Sequence, residues 1–217
     1  MNWKRQAIYA VVAIALISPL AAPRLLAFPY RAEIGAHRIY SEAPISPRLA
    51  TIVADADRTA ARSPIAAERS QPIFLTNGGW RWTLLALISR SAFAFSRSPF
   101  ETIVVNRSDQ DANKVFRPAA IGGQRDLSAT LAHEMTHTAI RKHFGMFADR
   151  RYPAWLREGY CDYVAGGGSL TDAEAAVLIK SQPDHAALVY WRGRKRVEAE
   201  LKRNGGSVDA LFRAQGA

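Results

Sequence analysis

A single cysteine, Cys161, stands in 217 residues, so no disulfide can form within the chain and the fold must rest on its core and on any metal it binds. That thiol reads as a small buried helix residue rather than a reactive group. Internal repeats and low-complexity linkers are also lacking, which excludes a solenoid or a tandem array and leaves one folded unit behind a short N-terminal appendage. Acidic residues are scarce: 19 Asp and Glu face 29 Lys and Arg, a formal net charge of +10. Such an imbalance admits nucleic acid, anionic lipid or an acidic substrate. The basic residues are scattered, however. Their densest group is Arg192, Arg194, Lys195 and Arg196, at the start of an amphipathic stretch, and no nucleic-acid motif accompanies them, so nucleic acid is not expected as a partner. A hydrophobic content of 48% is enough for a sizeable core.

What is present begins with an export segment. Lys4 and Arg5 precede an apolar run from Ala7 to Ala22, interrupted by Pro19 and followed by Pro23 and Arg24. A spanning helix needs about 20 apolar residues. The run falls short of that, but Leu25 to Phe28 extend it and Arg24 can snorkel. Residues 1–28 are therefore expected to form a signal anchor or a signal peptide, the anchor being favoured because the small-residue cleavage pattern is poor. Lys4 and Arg5 would lie on the cytoplasmic side. The domain, 29–217, would then sit on the periplasmic or extracellular side of a cell membrane, or be secreted.

Along that domain, Ala36 to Ser41 looks extended, and Ser46-Pro47 opens a helix running to about Arg62. Pro72 to Thr76 reads as a buried strand closed by Asn77-Gly78-Gly79, and Trp80 to Ser89 as helical. Glu101 to Asn106 is the next strand, and Arg107 to Arg117 a polar loop without periodicity. From Asp126, a possible cap, a helix is expected to Gly145. Pro153 starts another that reaches about Val164 and ends at Gly166-Gly167-Gly168. Thr171 and Glu174 form a capping box for the next, and two more helices follow, from about His185 to Arg203 and from Ser207 to Phe212. Strands come early and helices late, an α+β arrangement with a small mixed sheet in the N-terminal half and a helical C-terminal half.

Inside the Asp126 helix lies His133-Glu134-Met135-Thr136-His137. Residues at i and i+4 share one helix face, so both histidines can aim a ring nitrogen at one ion, with Glu134 beside the metal's water rather than on the metal. In random order this composition yields the pattern with a probability of roughly half a per cent. A catalytic zinc wants three protein ligands and one open position. Glu158 is the natural third group, one helix further on and far enough for the chain to turn at Gly145 to Pro153 and come back past the metal.

Here the chain resembles the gluzincin clan of zinc metallopeptidases, on the pentapeptide and on Pro153-Ala154-Trp155-Leu156-Arg157-Glu158-Gly159-Tyr160, about thirty residues in all. The resemblance implies a zincin-like fold, a Zn2+ cofactor held by His133, His137 and Glu158, and Glu134 as general base in the hydrolysis of peptide bonds. It implies that Asp162 hydrogen-bonds a ligand histidine from behind, fixing its tautomer and strengthening it as a ligand. For the oxyanion, Tyr190, His185, Tyr152 and Tyr160 are the candidates, Tyr190 foremost because it precedes the long C-terminal helix. The strand Glu101 to Asn106 is expected at the sheet edge, where its backbone could pair with a peptide or protein substrate. His143 falls where a rival clan places a third histidine, but Ile140 stands in place of that motif's glycine, so His143 is read as a helix C-terminal cation. Trp80, Trp82, Trp155 and Trp191 are expected as core or interface anchors. Two other classes remain open: a zinc-binding scaffold without turnover, and a basic membrane-associated binding protein without metal.

Overall fold

The computed structural model describes residues 3–67, 70–98 and 100–215. Helix α1 (Trp3–Ala21) leads through a single 3-10 turn, Pro23–Leu26, into the sheet. Among the described residues no helix is long and apolar enough to cross a membrane.

The sheet has seven strands: β1 (Tyr30–Ile34), β2 (His37–Ser41), β3 (Pro72–Thr76), β4 (Ala94–Arg97), β5 (Thr102–Asp109), β6 (Lys114–Phe116) and β7 (Gln124–Asp126). The order is β1-β2-β3-β5-β6-β7, with β4 paired to β5 off that path. The β2–β3 and β3–β5 pairs are parallel and the others antiparallel, so the sheet is mixed. The central strands are buried on both faces, which explains their unbroken apolar runs. Ile73, Leu75, Ile103 and Val105 face one core, with Ile52, Val53, Leu127 and Leu131. Phe74 and Val104, at the alternate positions, face another core with Phe28, Trp82 and Leu85.

Helices α2 (Leu49–Ala60) and α4 (Leu127–Phe144) supply the first of these cores, and α3 (Trp80–Ala86) supplies the second. The C-terminal half is helical: α5 (Ala148–Arg151), α6 (Ala154–Val164), α7 (Asp172–Ser181), α8 (Ala186–Arg203) and α9 (Val208–Arg213). Ile140 near the end of α4, with Leu156, Tyr160, Val197 and Phe212, forms the core of this half. Helix α4 thus belongs to both halves. Helices α6 and α8 cross at two glycines. A Cβ on Gly159 would lie 2.4 Å from the carbonyl carbon of Gly193, and one on Gly193 would lie 2.6 Å from the Trp155 carbonyl oxygen.

The long helices stand where the sequence put them, and the Thr171–Glu174 capping box at the start of α7 is formed. Asp126 does occupy the N-cap of α4, but its carboxylate takes Lys114 Nζ at 2.6 Å. The helix is capped instead from the neighbouring turn between β5 and β6, where Asn113 Oδ1 accepts from the Ser128 backbone N–H at 3.0 Å. The expected loop from Arg107 to Arg117 holds the end of β5 and all of β6. Strands β1, β4 and β7 were not expected either. All are short or polar and lie toward the sheet's rim, where burial imposes no alternation on the residues. One expectation is overturned: Glu101 to Asn106 does not lie at the edge. Strand β5 has β3 on one side and β4, then β6, on the other, and β4, like β1 and β7 at the ends of the path, is an edge strand.

Candidate metal centre

On α4, the i, i+4 spacing sets His133 and His137 on one face, their ring centroids 4.9 Å apart. Helix α6 runs past this face and presents Glu158, Cys161 and Asp162 from adjacent turns. Glu158 Oε2 lies 3.3 Å from His133 Nε2 and 3.4 Å from His137 Nε2. Ligands arranged tetrahedrally at the zinc–nitrogen and zinc–oxygen bond length stand about 3.3–3.4 Å from one another. The two separations from Glu158 therefore match those expected between ligands of one zinc ion.

Behind the histidines, His133 Nδ1 and Asp162 Oδ1 are 2.8 Å apart. With Nδ1–H donated to this carboxylate, Nε2, turned toward Glu158, is the nitrogen that would give up its proton to a metal. Asp162 is buried and has a second partner: Arg125 Nη2 approaches Oδ1 at 2.9 Å and donates to the Gly167 carbonyl at 2.7 Å. A Cβ on Gly168 would come within 2.5 Å of Asp162 Oδ2, so the glycine run that ends α6 also makes room for this carboxylate. Burial would push the His133 pKa down, but the charge and hydrogen bond of Asp162, helped by Glu158, raise it to about 9. Burial likewise opposes ionisation of Glu158 and Asp162. The two histidines hold Glu158 well below the usual carboxylate range, and Arg125 with His133 holds Asp162 below it.

Cys161 lies close by. The ligand atoms of His133, His137 and Cys161 are all within 4.8 Å of one another, so it is a second candidate for the third ligand. Burial, and then the nearby Glu158, Glu134 and Asp162, push its thiol well above its ordinary pKa, and its side chain packs in the core of the helical half. The ionised Glu158 carboxylate, by contrast, already faces both ring nitrogens.

These residues open into a cleft of about 280 Å³, lined by Glu134, His133, His137, Glu158, Asp162 and Tyr190 among others. The sequence singled out these six residues, which line one cleft, but not Cys161 beside them. It did not anticipate the wall formed by Ala92 to Ser96. Asn106 donates its backbone N–H to the Phe93 carbonyl, and the register pairs Ala94 with Val105 and Phe95 with Val104. By antiparallel alternation the backbone groups of Ala94 and Ser96 then point away from β5, along the free edge of β4. Nor did the sequence single out Arg125, whose partner Asp162 is 37 positions away, or Arg141. The buried Arg141 guanidinium binds Glu101, Asp149 at 3.2 Å and Ser96 Oγ at 3.0 Å, tying α4 to β4 and α5.

Three of the oxyanion candidates are elsewhere. Tyr152 and Tyr160 are buried in the helical core, Tyr160 with its hydroxyl 2.7 Å from Ser63 Oγ, and His185 caps α8 by accepting from the Ala187 N–H. Tyr190 alone of the four lines the cleft. Its pKa is raised by burial and by Glu158, so the hydroxyl keeps its proton and remains a donor. His143 faces away and meets Asp209 Oδ1 at 2.8 Å. Among the tryptophans, Trp82 is core and Trp155 and Trp191 are partly buried, whereas Trp80 is exposed beneath Arg81.

No family model, curated protein or solved structure matches the chain.

Proposed function

We propose that the protein is a zinc-dependent peptidase of gluzincin type with a zincin-like fold, holding Zn2+ through His133, His137 and Glu158. The observation that carries the reading is the spacing of Glu158 Oε2 from the two Nε2 atoms, 3.3 and 3.4 Å, with Asp162 behind His133 at 2.8 Å. A zinc ion bound there would supply Lewis acidity and a water that ionises near neutral pH. Glu134 would act as the general base, accepting a proton from the attacking water and returning it to the leaving amine. Tyr190 donates a hydrogen bond to the oxygen on which negative charge develops. The substrate chain lies extended along β4, pairing with the outward backbone groups of Ala94 and Ser96. Residues 1–28 keep the domain at the membrane, on its periplasmic or extracellular side, or direct its secretion.

Hydrolysis of a broad peptide mixture by zinc-loaded protein tests this reading. Glu134→Gln should keep its zinc and lose about a hundredfold to ten-thousandfold in kcat. Tyr190→Phe should lose about a hundredfold in kcat with little change in KM. If the zinc-loaded wild type cuts nothing that Glu134→Gln leaves intact, the reading fails.

A further inference from the structure

Four guanidinium groups line the cleft: Arg117, Arg125, Arg141 and Arg157. Three are matched to carboxylates. Arg125 meets Asp162, Arg141 meets Glu101 and Asp149, and Arg157 meets Asp149 at 3.3 Å and Glu158 at 3.8 Å. Arg117 is not. Its Nε donates to the Gly122 carbonyl at 3.1 Å, its Nη1 to the Ser91 carbonyl at 3.4 Å, and its guanidinium lies over the Phe93 ring at 4.8 Å. Among the described residues no carboxylate pairs with it. The side chain is half-buried, so its charge has lost part of its water without gaining a carboxylate; burial lowers its pKa, nearby Tyr190 opposes that and Arg125 adds to it.

Its position matters as much as its charge. Arg117, Arg125 and Ser169 also line a second cleft of about 970 Å³, so the two clefts meet and Arg117 stands at their junction. In the second cleft Lys114 is matched by Asp126 and Arg194 by Asp172, while Arg107, which lies over the Phe116 ring, lines only this cleft and not that of the histidines. A chain leaving the metal centre toward the larger cleft would pass the unmatched guanidinium. Two carbonyls and a ring face hold that group in place, and it has a fork left to offer, which suits a planar anion of single charge.

We propose that Arg117 seats a carboxylate of the substrate, so that the cleft selects peptides carrying one beside the bond to be cut. The carboxylate is an Asp or Glu side chain or a free C-terminus. The inference rests on the peptidase reading, but the two can fail separately. Zinc-loaded Glu134→Gln protein is titrated in a calorimeter with short peptides that differ only in Glu against Gln, each with a free and an amidated C-terminus. At least one carboxylate should tighten binding by about ten- to a hundredfold, and whichever of the two does so identifies the source. The added Arg117→Gln change should abolish the preference while leaving zinc content and neutral-peptide binding intact, and Arg117→Lys should keep part of it. If all four peptides bind alike, if none binds, or if the preference survives Arg117→Gln, the assignment is overturned. Cleavage by wild type is read separately. Equal hydrolysis of acidic and neutral peptides, without a binding preference, removes the role of Arg117 and leaves the peptidase. A binding preference without hydrolysis removes the peptidase and leaves a carboxylate-binding site.

Discussion

Asp162 shows how much of the centre depends on residues that would never touch a metal. Its Oδ1 meets His133 at 2.8 Å and Arg125 at 2.9 Å, while Gly168 leaves space beside Oδ2. Arg125 balances a buried carboxylate that would otherwise compete for His133 alone, and through the Gly167 carbonyl it also fixes the turn that ends α6. Arg125→Gln should therefore weaken zinc binding by about ten- to a hundredfold in a competition titration with a chelator, with Glu134 and both histidines still in place. Unchanged affinity would mean that Asp162 needs no help. The histidine pair was legible in the sequence because helical spacing alone sets its geometry, Glu158 because it stands one helix further on, and Asp162 only through the resemblance. Arg125 was not, because an arginine in a short rim strand carries no periodic signal and its partner comes from a helix far along the chain.

At the scale of elements, the candidate centre depends on how closely α6 approaches its neighbours. Gly159 is next to Glu158 but faces the other way, toward Gly193 of α8, and that contact leaves no room for a side chain. The same crossing sets α8, and with it Tyr190, at the rim of the cleft. Gly159→Ala would gain about 1 kcal/mol of helix propensity. Forcing two backbones apart costs more, so a net loss of about 1–3 kcal/mol is expected in denaturant unfolding, together with weaker zinc binding. A stabilised variant would contradict this packing. Helices α4, α6 and α8 were legible because caps, prolines and glycines mark their ends. The edge was misread because an apolar run such as Ile103-Val104-Val105 marks a strand buried on both faces, whereas the edge strand beside it, Ala94 to Arg97, is short and half-exposed.

In the whole molecule, α4 joins a sheet-bearing half to a helical half, and the candidate centre lies where β4, α4, α6 and α8 converge. Arg194 and Lys195 meet Asp172, and Arg196 lies 3.7 Å from the centre of the Trp155 ring, so the densest basic group on the chain braces α8 against α6 and α7. The sequence showed that group but not its partners, which lie on other helices. The structure adds a rival to Glu158 as third ligand, since Cys161 is one helical turn further on and also turns toward the histidines. Zinc-edge X-ray absorption on zinc-loaded wild type separates them. The site proposed here gives one zinc per chain surrounded only by nitrogen and oxygen at about 2.0–2.2 Å. A sulfur neighbour at about 2.3 Å, or a chain that takes up no zinc, would contradict it.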